Sequence, residues 1–286
     1  MENKLRFGPS GNSEIFYKDG YKSSVDAPKW CRDNGLEAYE YSFGRGFTMS
    51  HDTAKILGEN AKKHDILISL HAPYYVNLAN ESQEMVEKSF SYITKGLEYL
   101  KYVNGRDYVV HLASCGKLLR QDALNLTSKR LDEVLELVYS LNLNKNGFIC
   151  PETMGKMAQI GTYKEIIDLC NKDKILVPTF DFGHINCIMQ GNLKTIEDYK
   201  KIFDYSFEVL GEDKTKNCHI HFSKIEYTQK GEVKHLNLDD NVYGPDFEPL
   251  AKVIDKYKLT PTIICESKQR MMEDALLLSN IYKNIK

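Results

Sequence analysis

The sequence predicts a single-domain (β/α)8 barrel, and three observations support this fold class. Eight short apolar runs alternate with longer amphipathic segments along the 286 residues. Residues able to bind a metal stand at the end of one apolar run after another, as expected where parallel strands open at a common rim. The chain has 42% hydrophobic residues and no Pro- or Gly-rich linker, so one domain over 1–286 is expected. Strand counting alone leaves an open doubly wound sheet as the alternative.

The eight predicted strands share a short length and a content of β-branched, aromatic and aliphatic residues. They are Leu5–Gly8, Ala38–Tyr41, Ile66–Leu70, Tyr108–His111, Gly147–Pro151, Ile175–Phe180, Cys218–Phe222 and Thr262–Cys265.

Helices are predicted between these strands, each long enough for a right-handed crossover. The clearest are Ser82–Tyr102, Gln121–Leu141, Tyr163–Cys170 and Thr195–Leu210. One interval, Ser223–Pro245, follows the seventh strand and reads as a long irregular loop, a feature that is usually functional or mobile.

Composition bounds the function classes. The formal net charge is −2, so any nucleic-acid contact must come from local positive patches. The longest apolar stretches are too short to span a bilayer, and the first residues lead into no secretory segment, so a cytoplasmic protein without a membrane partner is expected. The seven cysteines form no C-x-x-C pair, which argues against disulfides and a thiolate zinc site.

Metal-binding side chains recur at the predicted strand ends. They are His71, His111, Glu152, Asp181, His219 and Glu266, with His184 shortly after Asp181. Zinc and similar divalent ions bind imidazole nitrogen and carboxylate oxygen, and a catalytic site needs several such ligands. The repeated position at strand ends therefore favours a shared, multinuclear centre.

Each residue taken alone has a simpler explanation. A histidine after a strand is often a hydrogen-bonded polar residue, and the carboxylates of Glu152 and Glu266 could be buried ion pairs. Asp181 could cap a helix. His219 and His221 lie two apart and share a face of one strand. We expect His219 to be the ligand and His221 a neighbour or hydrogen-bond partner.

With these residues assembled, the chain resembles the endonuclease IV family of apurinic/apyrimidinic endonucleases, within the xylose-isomerase-like barrels. The likeness runs from Phe7 to Glu266. The segment from His71 to Leu78 resembles the family's His-x-x-Tyr-Leu-Ile-Asn-Leu element. The segment from Asp181 to His184 is similar to its Asp-Thr-Gly-His element, and Glu266 with the following serine to its Glu-Thr ending.

The resemblance implies two to three zinc ions, with manganese as an alternative. One zinc would be held by His71 and His111, and a second by Asp181, His219 and Glu266, with Glu152 bridging the two. His184 would hold a third with an acid and a histidine from the long loop. Glu232 and His235 are the candidates for that pair.

The implied activity is hydrolysis of double-stranded DNA on the 5′ side of an abasic site, in base excision repair, through a hydroxide that bridges metal ions. Glu152 and Glu266 would be the catalytic carboxylates. The implied DNA contacts are Arg45, Tyr74, Tyr75 and Lys224. No protein partner is implied, and a monomer is the default.

The sequence departs from the family pattern in three places. His219 opens His-Ile-His-Phe-Ser-Lys where the family has His-Leu-Asn-Asp-x-Lys. Glu232 and His235 are one residue further apart than the family's Asp-x-His. After His111 the chain has Leu-Ala-Ser-Cys where Pro-Gly-x-His is usual.

Two other functions stay open. A sugar isomerase or epimerase of the same barrel group would need only one ion, held by Glu152, Asp181, His219 and Glu266. It would leave three further imidazoles at the rim unexplained. A non-catalytic DNA-binding barrel has no need of clustered buried carboxylates.

Overall fold

Eight parallel strands form a closed barrel in the computed structural model, which describes residues 4–285. They are β1 (Arg6–Pro9), β2 (Ala38–Ser42), β3 (Leu67–His71), β4 (Asp107–Val110), β5 (Phe148–Pro151), β6 (Thr179–Asp181), β7 (His219–Phe222) and β8 (Thr262–Cys265). The predicted barrel is therefore confirmed.

The barrel consists of two four-stranded arcs. One arc has the order β1, β8, β7, β6 and the other β2, β3, β4, β5. The arcs join through a parallel bridge between Ser10 and Glu40 at one seam, and through a bridge between Glu152 and Thr179 at the other. β6 is shorter than predicted. Pro178 precedes it and has no N–H to give to a ladder, so regular pairing begins only at Thr179.

Helices surround the barrel in alternation with the strands. They are α1 (Glu14–Lys18), α2 (Ala27–Asp33), α3 (His51–His64), α4 (Gln83–Tyr102), α5 (Arg120–Ser140), α6 (Tyr163–Cys170), α7 (Phe182–Ile188), α8 (Ile196–Lys216), α9 (Phe247–Tyr257) and α10 (Met271–Lys283), with 3-10 turns at Ser24–Asp26 and Leu143–Lys145. The four predicted helices are α4, α5, α6 and α8. α8 runs past its predicted end through a kink at Gly211, whose φ is 76°. Within residues 4–285, no helix is long and apolar enough to cross a bilayer.

The segment after β7 is not irregular throughout, and that part of the prediction is wrong. Strands Lys224–Thr228 and Gly231–Leu236 pair as an antiparallel hairpin, here called the rim hairpin. It is docked on the loop after β5, where the backbone N–H of Glu232 donates to the carbonyl of Gly155 at 2.8 Å. A Cβ at Gly231 would lie 2.1 Å from that same carbonyl oxygen, so the close approach requires glycine.

Candidate metal centre

The polar side chains at the carboxyl ends of the strands converge at the barrel mouth. His71 and Asp181 are the last residues of β3 and β6, while His111, Glu152 and Glu266 directly follow β4, β5 and β8. Because parallel strands open at one rim, residues nearly two hundred positions apart become neighbours there.

Glu152 is the centre of this group and is fully buried. Its Oε2 lies 3.2 Å from His71 Nε2 and 2.8 Å from His111 Nε2. Its Oε1 lies 3.3 Å from His221 Nδ1 and 3.4 Å from His184 Nδ1. One carboxylate therefore faces four imidazoles, two on each oxygen.

A second set of donors lies on the other side of Glu152. Ligand atoms of Glu152, Asp181, His221 and Glu266 all lie within 4.8 Å of one another. Asp181 Oδ1 caps α7 by accepting from the backbone N–H of His184 at 2.7 Å. Asp181 Oδ2 is buried without a hydrogen-bond partner. Asp181 Oδ2 does lie 3.3 Å from His184 Nδ1, so Asp181 caps the helix with one oxygen and turns the other toward the centre.

His219 and His221 exchange the places expected for them. His221 Nδ1 lies 3.3 Å from both Glu152 and Glu266, whereas the His219 ring lies between Glu40 and Asp107. Both rings point into the barrel because they are two residues apart, but His219 is two residues nearer the start of β7 and so lies about 6.6 Å deeper along the strand.

A third group forms where the rim hairpin reaches the centre. His184 Nε2 lies 3.5 Å from Glu232 Oε2, and His235 Nε2 lies 3.9 Å from Glu232 Oε1. On a regular strand, residues three apart point to opposite faces. The hairpin has a register shift at Val233, so that Glu226 pairs with Lys234 and Tyr227 with Glu232. This bulge absorbs the additional residue and turns Glu232 and His235 to the same side.

Burial and charge together shift the protonation of these groups. Burial and the nearby carboxylates Glu266 and Glu152 raise the pKa of Asp181 to about 6, against the opposing effect of His184. Burial alone would lower the pKa of His71, but Glu152 more than offsets it and raises the pKa to about 9. The pKa of His184 rises to about 10 because Asp181 and Glu152 outweigh its burial. Imidazolium and carboxylate charges therefore balance one another in the protein without metal.

The donor set fits divalent ions. His71 Nδ1 lies 2.8 Å from the carbonyl of Ala72, and His184 Nδ1 lies 2.9 Å from that of Thr153. A backbone carbonyl can only accept, so each Nδ1 keeps its proton, and loss of the second proton would leave the Nε2 lone pair available to a metal. Asp181 Oδ2, which is buried and accepts no hydrogen bond, is a further candidate ligand atom.

The predicted DNA-contact residues lie in different surroundings. Tyr74 and Tyr75 follow β3 and are 51% and 47% exposed, with ring centroids 4.8 Å apart. The Nε of the exposed Arg45 donates to the hydroxyl of Tyr74 at 3.3 Å. Lys224 is different, because its Nζ donates to the carbonyl of Asp240 at 2.6 Å and lies 3.3 Å from Asp246. Three of the four side chains are thus displayed at the mouth, and Lys224 is engaged within the protein.

Sequence reasoning missed two buried acids. Glu40 stands in the middle of the predicted second strand, and Asp107 at the start of β4, and both contact His219. The signal was present for Glu40, since a carboxylate inside an apolar strand is costly without partners.

Comparison with known proteins identifies the family of the chain. The family model described as xylose isomerase-like TIM barrel matches residues 28–280. The chain belongs to this family. An uncharacterized protein of Methanocaldococcus jannaschii is 34% identical over 285 residues, covering 99% of both chains. A probable endonuclease 4 of Staphylococcus aureus is 24% identical over 266 residues, covering 86% of each.

Solved structures give the same barrel. Endonuclease IV from Thermus thermophilus superposes with a TM-score of 0.72 at 18% identity, and a D-tagatose 3-epimerase-like protein with 0.69 at 20% identity, each covering 98% of both chains. Likeness at this identity establishes the fold alone. Family membership and the buried histidine and carboxylate groups together make the protein a metal-binding barrel enzyme.

Proposed function

We propose that the protein is a zinc-dependent endonuclease that hydrolyses the phosphodiester 5′ to an abasic site in double-stranded DNA, leaving a 3′-hydroxyl and a 5′-deoxyribose phosphate. The observation that carries the proposal is the arrangement around Glu152, whose two carboxylate oxygens face separate pairs of imidazoles. A carboxylate so placed can be shared by two ions. The centre would hold two to three zinc ions, with manganese as the alternative.

Five overlapping sets of donors lie close enough to hold a metal among the described residues, and the proposed centre uses three of them. His71 and His111 share Glu152 Oε2, and the group Glu152, Asp181, His221 and Glu266 forms the second site. His184 with Glu232 and His235 forms the third. Bound divalent ions would activate water and neutralise charge on the phosphoryl oxygens and the leaving alkoxide.

The protein's own side chains would bind and orient the DNA. A cavity of about 410 Å³ beside Glu266 and His235 is also lined by Lys234 and Lys268. Lys234 is paired with Glu226 at 2.8 Å, so Lys268 is the cation that would attract the phosphate backbone even though the total charge is −2.

The aromatic pair at the mouth fits a distorted duplex. Exposed Tyr74 and Tyr75, with Arg45 beside them, form a flat and cationic edge next to the centre. Such side chains enter a minor groove and stack where a nucleotide leaves the helix. Lys224 is left out of this contact because it is bonded to Asp240 and Asp246.

The test is cleavage of a labelled duplex that carries one tetrahydrofuran abasic analogue. Zinc-loaded protein should cut on the 5′ side of the lesion and leave an undamaged duplex of the same sequence intact. Glu152→Gln should lower turnover by orders of magnitude. The matched control is Glu212→Gln, since Glu212 pairs with Lys216 at the end of α8, opposite the mouth, and the change should leave turnover unaltered. An uncut lesion with metals replete would refute the assignment.

A second candidate is a sugar isomerase or epimerase with one divalent ion. It is favoured by one observation, namely that Glu152, Asp181, His221 and Glu266 alone make a complete four-ligand set. This candidate predicts one manganese or magnesium per chain and turnover of keto-sugars. It gives no role to His71, His111 or the third group.

A further inference from the structure

A second layer of buried polar groups lies beneath the metal centre. Glu40 of β2, Asp107 of β4 and His219 of β7 all point into the barrel and are excluded from solvent. The interior of such a barrel is normally filled by branched aliphatic residues, so a run of charged groups there calls for a reason.

The groups form a continuous chain of contacts. Glu40 Oε2 accepts from Ser69 Oγ at 2.8 Å and lies 3.1 Å from His219 Nε2. His219 Nδ1 lies 3.1 Å from Asp107 Oδ2, which in turn lies 2.7 Å from Arg106. The side chain of Glu40 is thus fixed on one oxygen by two partners, one of them anchored across the barrel.

The other oxygen of Glu40 meets the metal centre. Glu40 Oε1 lies 3.0 Å from His221 Nε2, while Nδ1 of the same ring faces Glu152 and Glu266. Neither Oε1 nor Nε2 has a regular hydrogen bond to any residue in the range 4–285. The 3.0 Å charge contact between Glu40 Oε1 and His221 Nε2 is therefore what offsets the burial of both atoms.

We propose that Glu40 is a positioning residue that holds the proton of His221 on Nε2 and so presents the Nδ1 lone pair to the metal. His219 is a positioning residue as well, since its ring contacts Glu40 on one side and Asp107 on the other and so fixes the position of the Glu40 carboxylate. A histidine ligand depends on the partner of its second nitrogen for its tautomer and orientation. The inference rests on the metal centre of the proposed function but not on its substrate.

The experiment measures zinc stoichiometry and zinc dissociation constant separately, by chelator competition on the full chain. Glu40→Gln keeps an acceptor for His221 Nε2 and should raise the zinc dissociation constant of the site that contains His221 about 10-fold. Glu40→Ala removes the acceptor and should raise it about 100-fold, the upper end of the range found for partners of metal-bound histidines. His219→Asn should fall between them. All three should reach the wild-type number of zinc ions at saturation. His221→Asn should lose one.

Controls separate positioning from core packing. Asp274→Asn alters another buried carboxylate, which accepts from the backbone of Leu238, and should leave zinc affinity unchanged. Thermal unfolding of each metal-free variant reports the packing effect. If Glu40→Gln lowers the melting temperature but leaves the dissociation constant at the wild-type value, the proposal is overturned.

Two further outcomes would also overturn it. Loss of a whole zinc equivalent in His219→Asn or Glu40→Gln would make these residues ligands rather than positioning groups. Equal zinc dissociation constants for Glu40→Gln and Glu40→Ala would mean that a hydrogen-bond acceptor at position 40 plays no part. Protein that binds zinc normally yet leaves abasic DNA uncut would contradict the proposed function alone.

Discussion

Zinc binding should release at least about two protons per chain at pH 7, because the imidazoles of His71 and His184 are charged before metal arrives. The pKa of His71 is about 9, that of His184 about 10, and that of His221 lies well above its usual value. In each case burial favours the neutral ring, and the surrounding carboxylates outweigh it. At pH 7 the rings of His71 and His184 are therefore almost fully protonated, and each must lose one proton to act as a ligand.

The pH dependence follows from the same values. A raised histidine pKa means that protons compete with zinc over the whole range below about pH 9, so affinity should fall as pH falls. The pKa of Asp181 is about 6, so a further ligand is lost below that pH. Affinity should fall more steeply there.

Isothermal titration calorimetry measures the release directly. Zinc is titrated at pH 7 in several buffers that differ in ionisation enthalpy, and the slope of observed enthalpy against ionisation enthalpy gives the protons released. His71→Asn should reduce the number by about one. His51→Asn, on the exposed start of α3, should leave it unchanged. Release of fewer than about one proton by the wild-type chain would show that these rings are not charged ligands.

Three further predictions concern the hairpin, the mouth and stability. By metal analysis, Glu232→Gln should bind one zinc ion fewer than the wild type, while Glu226→Gln, on the same hairpin, should bind the wild-type number. Equal counts would mean that the hairpin supplies no metal ligand. Tyr75→Ala should weaken binding of abasic duplex with little change in turnover at saturation. Phe148→Ala is the control, because Phe148 is 36% exposed at the start of β5, away from the mouth, and its loss should leave binding unchanged. Equal binding by the two variants would mean that Tyr75 only packs against its neighbours. Metal-free protein should lose thermal stability as pH rises from 6.5, the ordinary histidine pKa, to about 9 for His71 and about 10 for His184, because the folded protein holds these protons more tightly than the unfolded chain. A flat profile over that range would contradict this.

The barrel was predictable because each strand is a compact apolar run. For seven of the eight strands, both the first and the last residue lie within two residues of the predicted position. β6 starts four residues later than predicted, since Pro178 interrupts pairing. The rim hairpin was not predictable in the same way. Only Ile225 and Gly231 of its strands are fully buried, so it lacks a clear apolar alternation.

Most of the candidate ligands were predictable from strand ends, but depth within the barrel was not. A period of two places His219 and His221 on one face and gives no sign of which ring reaches the mouth. The answer depends on where β7 lies relative to strands distant in sequence, such as β2, whose Glu40 lies 3.1 Å from His219 and 3.0 Å from His221. The bulge at Val233 is likewise a property of the paired hairpin, not of either strand alone.

The number of tightly bound metal ions tests the central claim most directly. Purified full-length protein, loaded with zinc and freed of excess metal, is analysed by elemental mass spectrometry against protein concentration. Two to three equivalents per chain, falling in the Glu152→Gln variant, are predicted by a carboxylate shared among four imidazoles. A single equivalent unaffected by removal of His71 and His111 would contradict a shared centre and favour the one-ion enzyme.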